Sequence, residues 1–408
     1  MKPVGPIPQG YETLDGELAI GGRTASALVR EAGGTPLFVY SRAMLTRRIA
    51  DLRAALPRRI GINYAVKANP MPELVAYMEP LVDGFDIASS GELAICKKVG
   101  IDPARVSFAG PGKRDDELEF AIAAGVTLNC ESEGEAARSL KIGDRLGKRP
   151  RIAIRVNPSF ELKGSGMKMG GGAKQFGVDA DKVPALARHV IAQGAEWRGL
   201  HIFTGSQALS AEAISETQGN VLKLAGELAE TIGQGLPKLN MGGGFGIPYF
   251  PGDGPLDLAA VGGALAEQVA DLPEALADTE LCLELGRYLV GEAGVYLCRV
   301  IDRKESYGTT YLVTDGGLHH QLAASGNFGT VVRRNYPSAI ASRYAEEPGE
   351  EVNIVGCLCT PLDRLADQAM MPRADVGDIV AVFCAGAYGA TASPSAFLGH
   401  GPAREVLV

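Results

Sequence analysis

The sequence predicts an α/β protein in two parts, an eight-stranded parallel (β/α) barrel followed by a mainly antiparallel β-domain. Three observations carry this. Short apolar runs rich in β-branched residues alternate with helical stretches from Phe38 to Leu283, the pattern of a parallel sheet wrapped by helices. Past Arg287 strands continue without helices between them. The 408 residues also exceed what one hydrophobic core usually organises.

Taken in order, the first 35 residues hold a strand-like Glu17 to Ile20 before Gly21-Gly22. They are too short to stand alone and are expected to join the C-terminal sheet. Residues 36–287 are read as the barrel. Its strand candidates are Phe38 to Tyr40, Ile60 to Val66, Phe85 to Ala88, Val106 to Ala109, Val126 to Asn129, Ile152 to Val156, Leu200 to Thr204, Leu239 to Met241 and Leu281 to Leu283. That is one more than eight strands require, so one belongs elsewhere. The separators read as helices: Ser41 to Leu56 carries apolar residues at 45, 49, 52 and 56, and Ala211 to Thr231 repeats the period. Residues 288–408 supply Gly294 to Arg303, Thr310 to Thr314, Glu351 to Val355 and Asp378 to Phe383 as strands of the second domain.

Composition narrows the partners. A net charge of −8 with no Lys/Arg block argues against a polyanion-binding surface, so no nucleic-acid partner is expected. The chain starts without a basic segment leading into a long apolar run, and no stretch of about 18 apolar residues occurs. A cytoplasmic protein with no membrane partner is expected. The seven cysteines are scattered and odd in number, which fits buried thiols better than a disulfide framework. Cys357 and Cys359 form a Cys-x-Cys without a second ligand pair at zinc spacing, and no metal is expected.

In a barrel, chemistry gathers at the C-terminal ends of the strands. Lys67 ends the Ile60 to Val66 run; partial burial there would favour the neutral, imine-forming amine, whereas a lone lysine is more often a solvated strand end. His201 and Ser206 sit in HIFTGSQ (201–207), where a hydroxyl and backbone N–H groups could meet a phosphate; alone, such a histidine is a core residue. Gly242, Gly243 and Gly244 follow the next strand, where a backbone without Cβ atoms can approach phosphate oxygens. Glu284 and Arg287 leave the last barrel strand, suited to a protonated pyridine nitrogen and an anion respectively, or to an internal salt bridge. Together these groups describe a site for a phosphorylated, pyridine-containing aldehyde, pyridoxal 5'-phosphate.

The chain then resembles the fold-type III pyridoxal-phosphate enzymes of the diaminopimelate/ornithine decarboxylase superfamily. The likeness rests on YAVKAN (64–69), DIASSGEL (86–93), HIFTGSQ (201–207), GGG (242–244), ELGR (284–287), CTPLD (359–363) and GAY (386–388). Longer strings, KGSGMKMGG (163–171), QFG (175–177), GGFGIPYF (243–250), TDGGLHH (314–320) and SPSAFLGH (393–400), are similar to the exosortase A system-associated decarboxylases and to carrier-protein glutamyl decarboxylation. The resemblance implies an alanine-racemase-like TIM barrel with a β-domain, a homodimer with shared active sites, and amino-acid decarboxylation. It implies a Schiff base on Lys67, His201 stacked on the ring, Glu284 on the pyridinium nitrogen, and Asp86 among the cofactor contacts. Ser206, Gly243, Gly244, Arg287 and Tyr388 would surround the phosphate, and Cys359 from the second subunit would protonate the product carbon.

On the substrate side the pattern departs. Diaminopimelate and ornithine decarboxylases carry an acid just after the catalytic Cys, which engages the distal amino group; here Thr360-Pro361-Leu362 follows, with Asp363 beyond. HHQLAASGN (319–327) replaces the family's Arg-Pro segment, putting His319 among the candidate substrate contacts with Thr360, Asp363 and Arg287. A site lacking the charge partner discriminates against the charged substrate. A small-molecule amino-acid substrate with a neutral or masked distal end, or an acyl-carrier-bound aminoacyl group, becomes the expected substrate. The glycine-rich stretch Lys163 to Gly172 reads as a lid over the mouth or a plain surface loop. The alternatives are a racemase on the same fold, disfavoured by the Cys359 motif, and an inactive binding homologue, disfavoured because Lys67 and Cys359 are both present.

Overall fold

The structure is a computed structural model describing residues 1–164, 166–326 and 334–408. It divides into two compact units: Met1–Arg48, Ile247–Pro255 and Arg287–Val408 form one, Ile49–Gly246 and Leu256–Gly286 the other. These limits differ from 36 and 287, because residues 36–48 and 247–255 cluster with the β-rich unit.

The second unit is a closed barrel. Its strands are β1 (Ile60–Ala65), β2 (Gly84–Ile87), β3 (Val106–Phe108), β4 (Thr127–Cys130), β5 (Arg151–Asn157), β6 (Glu196–His201), β7 (Lys238–Asn240) and β8 (Glu280–Leu285). Every neighbouring pair is parallel, and β8 pairs with β1 to close the ring. The strands are buried runs because helices cover the outside and side chains fill the inside. The helix Ala211–Ile232 illustrates the outer layer: Ser210 caps its start, accepting from the Ala213 N–H, and Gly233 ends it in the left-handed region. Its buried stripe includes Val221, Leu222, Ala225, Leu228, Ala229 and Ile232. Each large aliphatic side chain so buried contributes roughly 2 kcal/mol.

Two expectations change. Leu37–Tyr40 is buried like a barrel strand, but it pairs antiparallel with Gly294–Ser306 and parallel with Arg404–Leu407 in the other unit; an apolar run does not encode its partner. The sixth strand begins at Glu196, four residues before the expected Leu200, since its first half carries Glu196 and Arg198 and a bulge at Gly199.

The β-rich unit is built on an eight-stranded sheet. Most of its pairings are antiparallel, but Thr309–Thr314 runs parallel to Glu350–Val355. Glu17–Ile20, expected to join the C-terminal sheet, lies instead in a separate three-stranded sheet with Glu12–Leu14 and Arg23–Thr24, because its strand neighbours are the adjacent hairpin segments. The core of the β-rich unit includes Leu18, Ile20, Leu28, Leu37, Val39, Val295, Leu297 and Phe383. Among the described residues no helix is long and apolar enough to cross a membrane. All seven cysteines are free.

Candidate active site

The barrel unit gathers Lys67, Asp86, His201 and Glu284 at the strand ends. Lys67 stands in the one-turn helix Val66–Ala68 directly after β1, His201 is the last residue of β6, and Glu284 lies near the end of β8. Because β1 and β8 are paired neighbours, Glu284 is register partner to Asn63, and the lysine four residues on comes within reach. The Lys67 Nζ donates to Glu284 Oε1 at 3.0 Å, and His201 Nε2 lies 3.1 Å from Glu284 Oε2. One buried carboxylate is thus flanked by an amine and an imidazole.

Burial alone would push the Glu284 carboxyl up; the Lys67 ammonium and His201 outweigh it and hold it well below the usual carboxylate range. Asp86 goes the other way. Buried and facing the charge of Glu284, its carboxyl is raised to about 6, although Ser107, His201 and Asn63 each favour the ionised form. Asn240 on β7 donates to Asp86 on β2 at 3.3 Å. Those strands are separated by β8 and β1 around the ring, so this bond crosses the barrel interior. Asn129 extends the network by donating to Ser107 at 3.2 Å.

The glycine loop is fixed by its own bonds. The Gly242 N–H donates to Asn240 Oδ1 at 2.9 Å, and the Glu284 N–H donates to the Gly242 carbonyl at 2.7 Å, tying the loop to the strand that carries the carboxylate. Gly244 adopts φ +87°, and a Cβ there would meet the Gly205 carbonyl at 2.8 Å, so a side chain is excluded twice over. Ser206 stands beside this loop. The glycine-rich stretch runs alongside: the Gly166 and Met169 N–H groups donate to the Ser206 and Thr204 carbonyls, and Lys163 pairs with Glu216 at 2.8 Å. Ser165 of that stretch lies outside the described residues.

The residues assigned to the β-rich unit form separate groups. Arg287 Nη1 donates to the Tyr249 hydroxyl at 2.6 Å, and its guanidinium lies 4.8 Å from the Tyr388 ring centre. Burial pushes the Tyr249 hydroxyl up to about 12 despite Arg287, so it is a neutral donor and acceptor. Cys359 is exposed while the other cysteines are buried or half-buried. Asp363, 2% exposed, accepts from the Leu318 N–H at 2.7 Å and the Leu358 N–H at 2.9 Å. A Cβ at Gly317 or at Gly356 would collide with that carboxylate. Thr360 Oγ1 accepts from the Leu362 N–H at 3.3 Å. His319 is fully buried. Asn327, the end of the substituted segment, lies outside the described residues.

Sequence reasoning missed Tyr249 and a buried charge network at the barrel rim. Lys113 pairs with Glu135 at 2.7 Å and Arg155 with Glu131 at 2.9 Å, all four side chains being almost inaccessible. The one available signal was Ser132 three residues before Glu135, a helix-start pattern that the structure bears out with the Ser132 hydroxyl accepting from the Glu135 N–H.

Whether pyridoxal 5'-phosphate fits is testable on the protein's own unsatisfied atoms. Among the described residues, Ser206 Oγ and His201 Nδ1 are buried with no hydrogen-bond partner, a costly arrangement in a finished interior. A phosphate would take the Ser206 hydroxyl, and an ionised Glu284 would take a ring N–H. Amine, carboxylate, imidazole and glycine loop at one barrel mouth define a site for an aldehyde cofactor with a basic ring nitrogen and an anionic arm.

Comparison with known proteins agrees. Residues 42–291 match the family model described as the pyridoxal-binding domain of the pyridoxal-dependent decarboxylases; the chain belongs to that family, and its cofactor is pyridoxal 5'-phosphate. It is 34% identical over 380 residues to the L-glutamyl-(BtrI acyl-carrier protein) decarboxylase of Niallia circulans, covering 91% of this chain and 88% of that protein. It is 35% identical over 409 residues to the diaminopimelate decarboxylase of Aquifex aeolicus, covering 97% and 92%. The structure of the diaminopimelate decarboxylase of M. jannaschii with L-lysine superposes at a TM-score of 0.85 with 26% identity, covering 98% of this chain and 93% of that one. The chain is an amino-acid decarboxylase dependent on pyridoxal 5'-phosphate.

Proposed function

We propose that this decarboxylase acts on an amino acid whose distal end is neutral or masked, with an acyl-carrier-bound aminoacyl group as the substrate class. The observation that carries the reading is the state of Asp363. It is the nearest acid after Cys359, it is 2% exposed, and each of its oxygens accepts from a backbone N–H, of Leu318 or Leu358. Thr360, Pro361 and Leu362 offer no charge in its place, so a distal ammonium would be desolvated without a partner, at a cost of orders of magnitude in selectivity. Likeness to a carrier-protein glutamyl decarboxylase supports the same reading.

Pyridoxal 5'-phosphate, when bound, supplies an electron sink for the pair released as CO2 leaves. The chain's residues do the rest. Lys67 would provide the amine that holds the cofactor. Glu284, a buried carboxylate whose ionised form His201 also favours, would hold a proton on the ring nitrogen. Ser206, Gly243, Gly244, Arg287 and Tyr388 would hold the phosphate, and His201 and Asp86 would contact the cofactor. Cys359, exposed on its turn, delivers a proton to the product carbon. The reading takes the enzyme as a cytoplasmic homodimer in which Cys359 serves the neighbouring copy's site. SPSAFLGH (393–400) supports grouping it with the exosortase-associated enzymes.

The test is CO2 release from free meso-diaminopimelate, free glutamate and a glutamyl-loaded carrier protein at equal concentration. The expected kcat/KM is at least about 10²-fold higher on the carrier substrate than on diaminopimelate. Equal values on both would remove the basis of the reading.

A further inference from the structure

Among the described residues, one group of three histidine and cysteine side chains brings its donor atoms into chelating range. His319, Cys357 and His400 place theirs within 4.8 Å of one another. The fold explains why residues so far apart in sequence meet. Thr309–Thr314 and Glu350–Val355 pair in parallel, so both strands end at the same edge of the sheet, and His319 and Cys357 lie a few residues past those ends.

Hydrogen bonds then pin the segments beside each donor. Asp363 clamps the Leu318 and Leu358 N–H groups with its two oxygens. His320 Nε2 lies 3.0 Å from the Gly401 carbonyl, holding the residue next to His400. The ring centres of His319 and His400 are 4.8 Å apart, and Cys357 Sγ is 3.9 Å from His400 Nε2.

His319 points to a ligand independently. It is fully buried, and neither ring nitrogen has a hydrogen-bond partner among the described residues. A fully buried imidazole normally bonds through at least one nitrogen.

We propose that His319, Cys357 and His400 form a binding site for a borderline-soft divalent cation, with zinc as the best match, that anchors the turn carrying Cys359. Two imidazoles and a thiolate are a zinc donor set, and three protein ligands leave the fourth tetrahedral position to water or another ligand. Tetrahedral zinc separates its donors by about 3.3 to 3.8 Å, so the cluster closes by roughly 1 Å, movement that the exposed His400 supplies by side-chain rotation. Cys357 gives up its proton on binding. The Cys-x-Cys spacing pointed away from a metal because it pairs Cys357 with Cys359, whereas the donors come from three separate segments and Cys359 is not one of them.

The experiment uses the pyridoxal-loaded full-length enzyme, dialysed against a chelator and titrated with zinc, with affinity read by competition with a chromogenic chelator and stoichiometry by elemental analysis. Magnesium serves as the control. Zinc is expected to bind at one equivalent per chain, and His400→Ala and Cys357→Ser are each expected to weaken it by at least about 10²-fold. Both changes are at accessible positions, and a near-native circular dichroism spectrum confirms that each variant folds. Cys359→Ser is expected to bind zinc as the parent does. Zinc no tighter than magnesium in the parent would overturn the site, as would parental zinc affinity in either folded ligand variant or lost affinity in Cys359→Ser.

Discussion

The groups gathered at the barrel mouth and the groups around the turn 356–363 are built on different physics. Lys67, His201 and Glu284 stand at or just past strand ends, so one barrel register determines their separations. Cys359, Thr360 and Asp363 stand on a turn whose shape depends on one buried carboxylate and two N–H donors. Chemistry at strand ends tolerates little drift. Chemistry on a tied turn can be retuned by changing exposed residues such as Pro361 and Leu362 while the tie persists.

The sharpest way to break this contrast is Lys67→Ala. CO2 release is expected to fall by at least about 10³-fold, measured at saturating cofactor and substrate. Glu284→Gln preserves shape and removes the charge that Lys67 and His201 share. A loss of about 10²-fold in kcat is expected, with the variant still folded by circular dichroism.

On the turn side, Asp363→Ala leaves two buried N–H groups without an acceptor and is expected to cost about 3 kcal/mol of stability by denaturant unfolding. If the carboxylate serves as a tie, the ratio of kcat/KM between carrier-bound and free substrates should stay unchanged. A collapse of that ratio without loss of stability would reverse the assignment.

A pH-dependent effect of comparable size concerns Asp86. Its carboxyl ionises near 6 in the fold against 3.8 in an unfolded chain, so the folded state binds this proton more tightly. The resulting stabilisation is complete below about pH 4 and is lost as pH rises through about 6, on the order of 3 kcal/mol in all. Asp86→Asn should flatten that part of the melting-temperature profile. An unchanged slope between pH 4 and 7 would mean that the residue is ionised throughout.

Much of the barrel was legible because parallel strands covered on both sides are plain apolar runs, and Lys67, His201 and Glu284 were legible because such runs end at them. The failures share a cause. Leu37–Tyr40 has the same buried character as β1 yet pairs elsewhere, since hydrophobicity marks a strand but not its neighbour. Glu196 and Arg198 hid the first half of β6 behind polar side chains. Lys113, Glu131, Glu135 and Arg155 read individually as surface charges and become a buried network only when the loops fold over them. His319 was visible as one of a pair, but Cys357 and His400 reach it through strand pairing and loop ties that have no period in the sequence.

The central claim is that the amine held against Glu284 carries the cofactor. Borohydride reduction of the loaded enzyme, followed by protease digestion and mass spectrometry, tests it directly. The account predicts a pyridoxyl mass addition on Lys67 that is absent from the Lys67→Ala variant. Modification at another lysine, with Lys67 recovered unmodified, would contradict it.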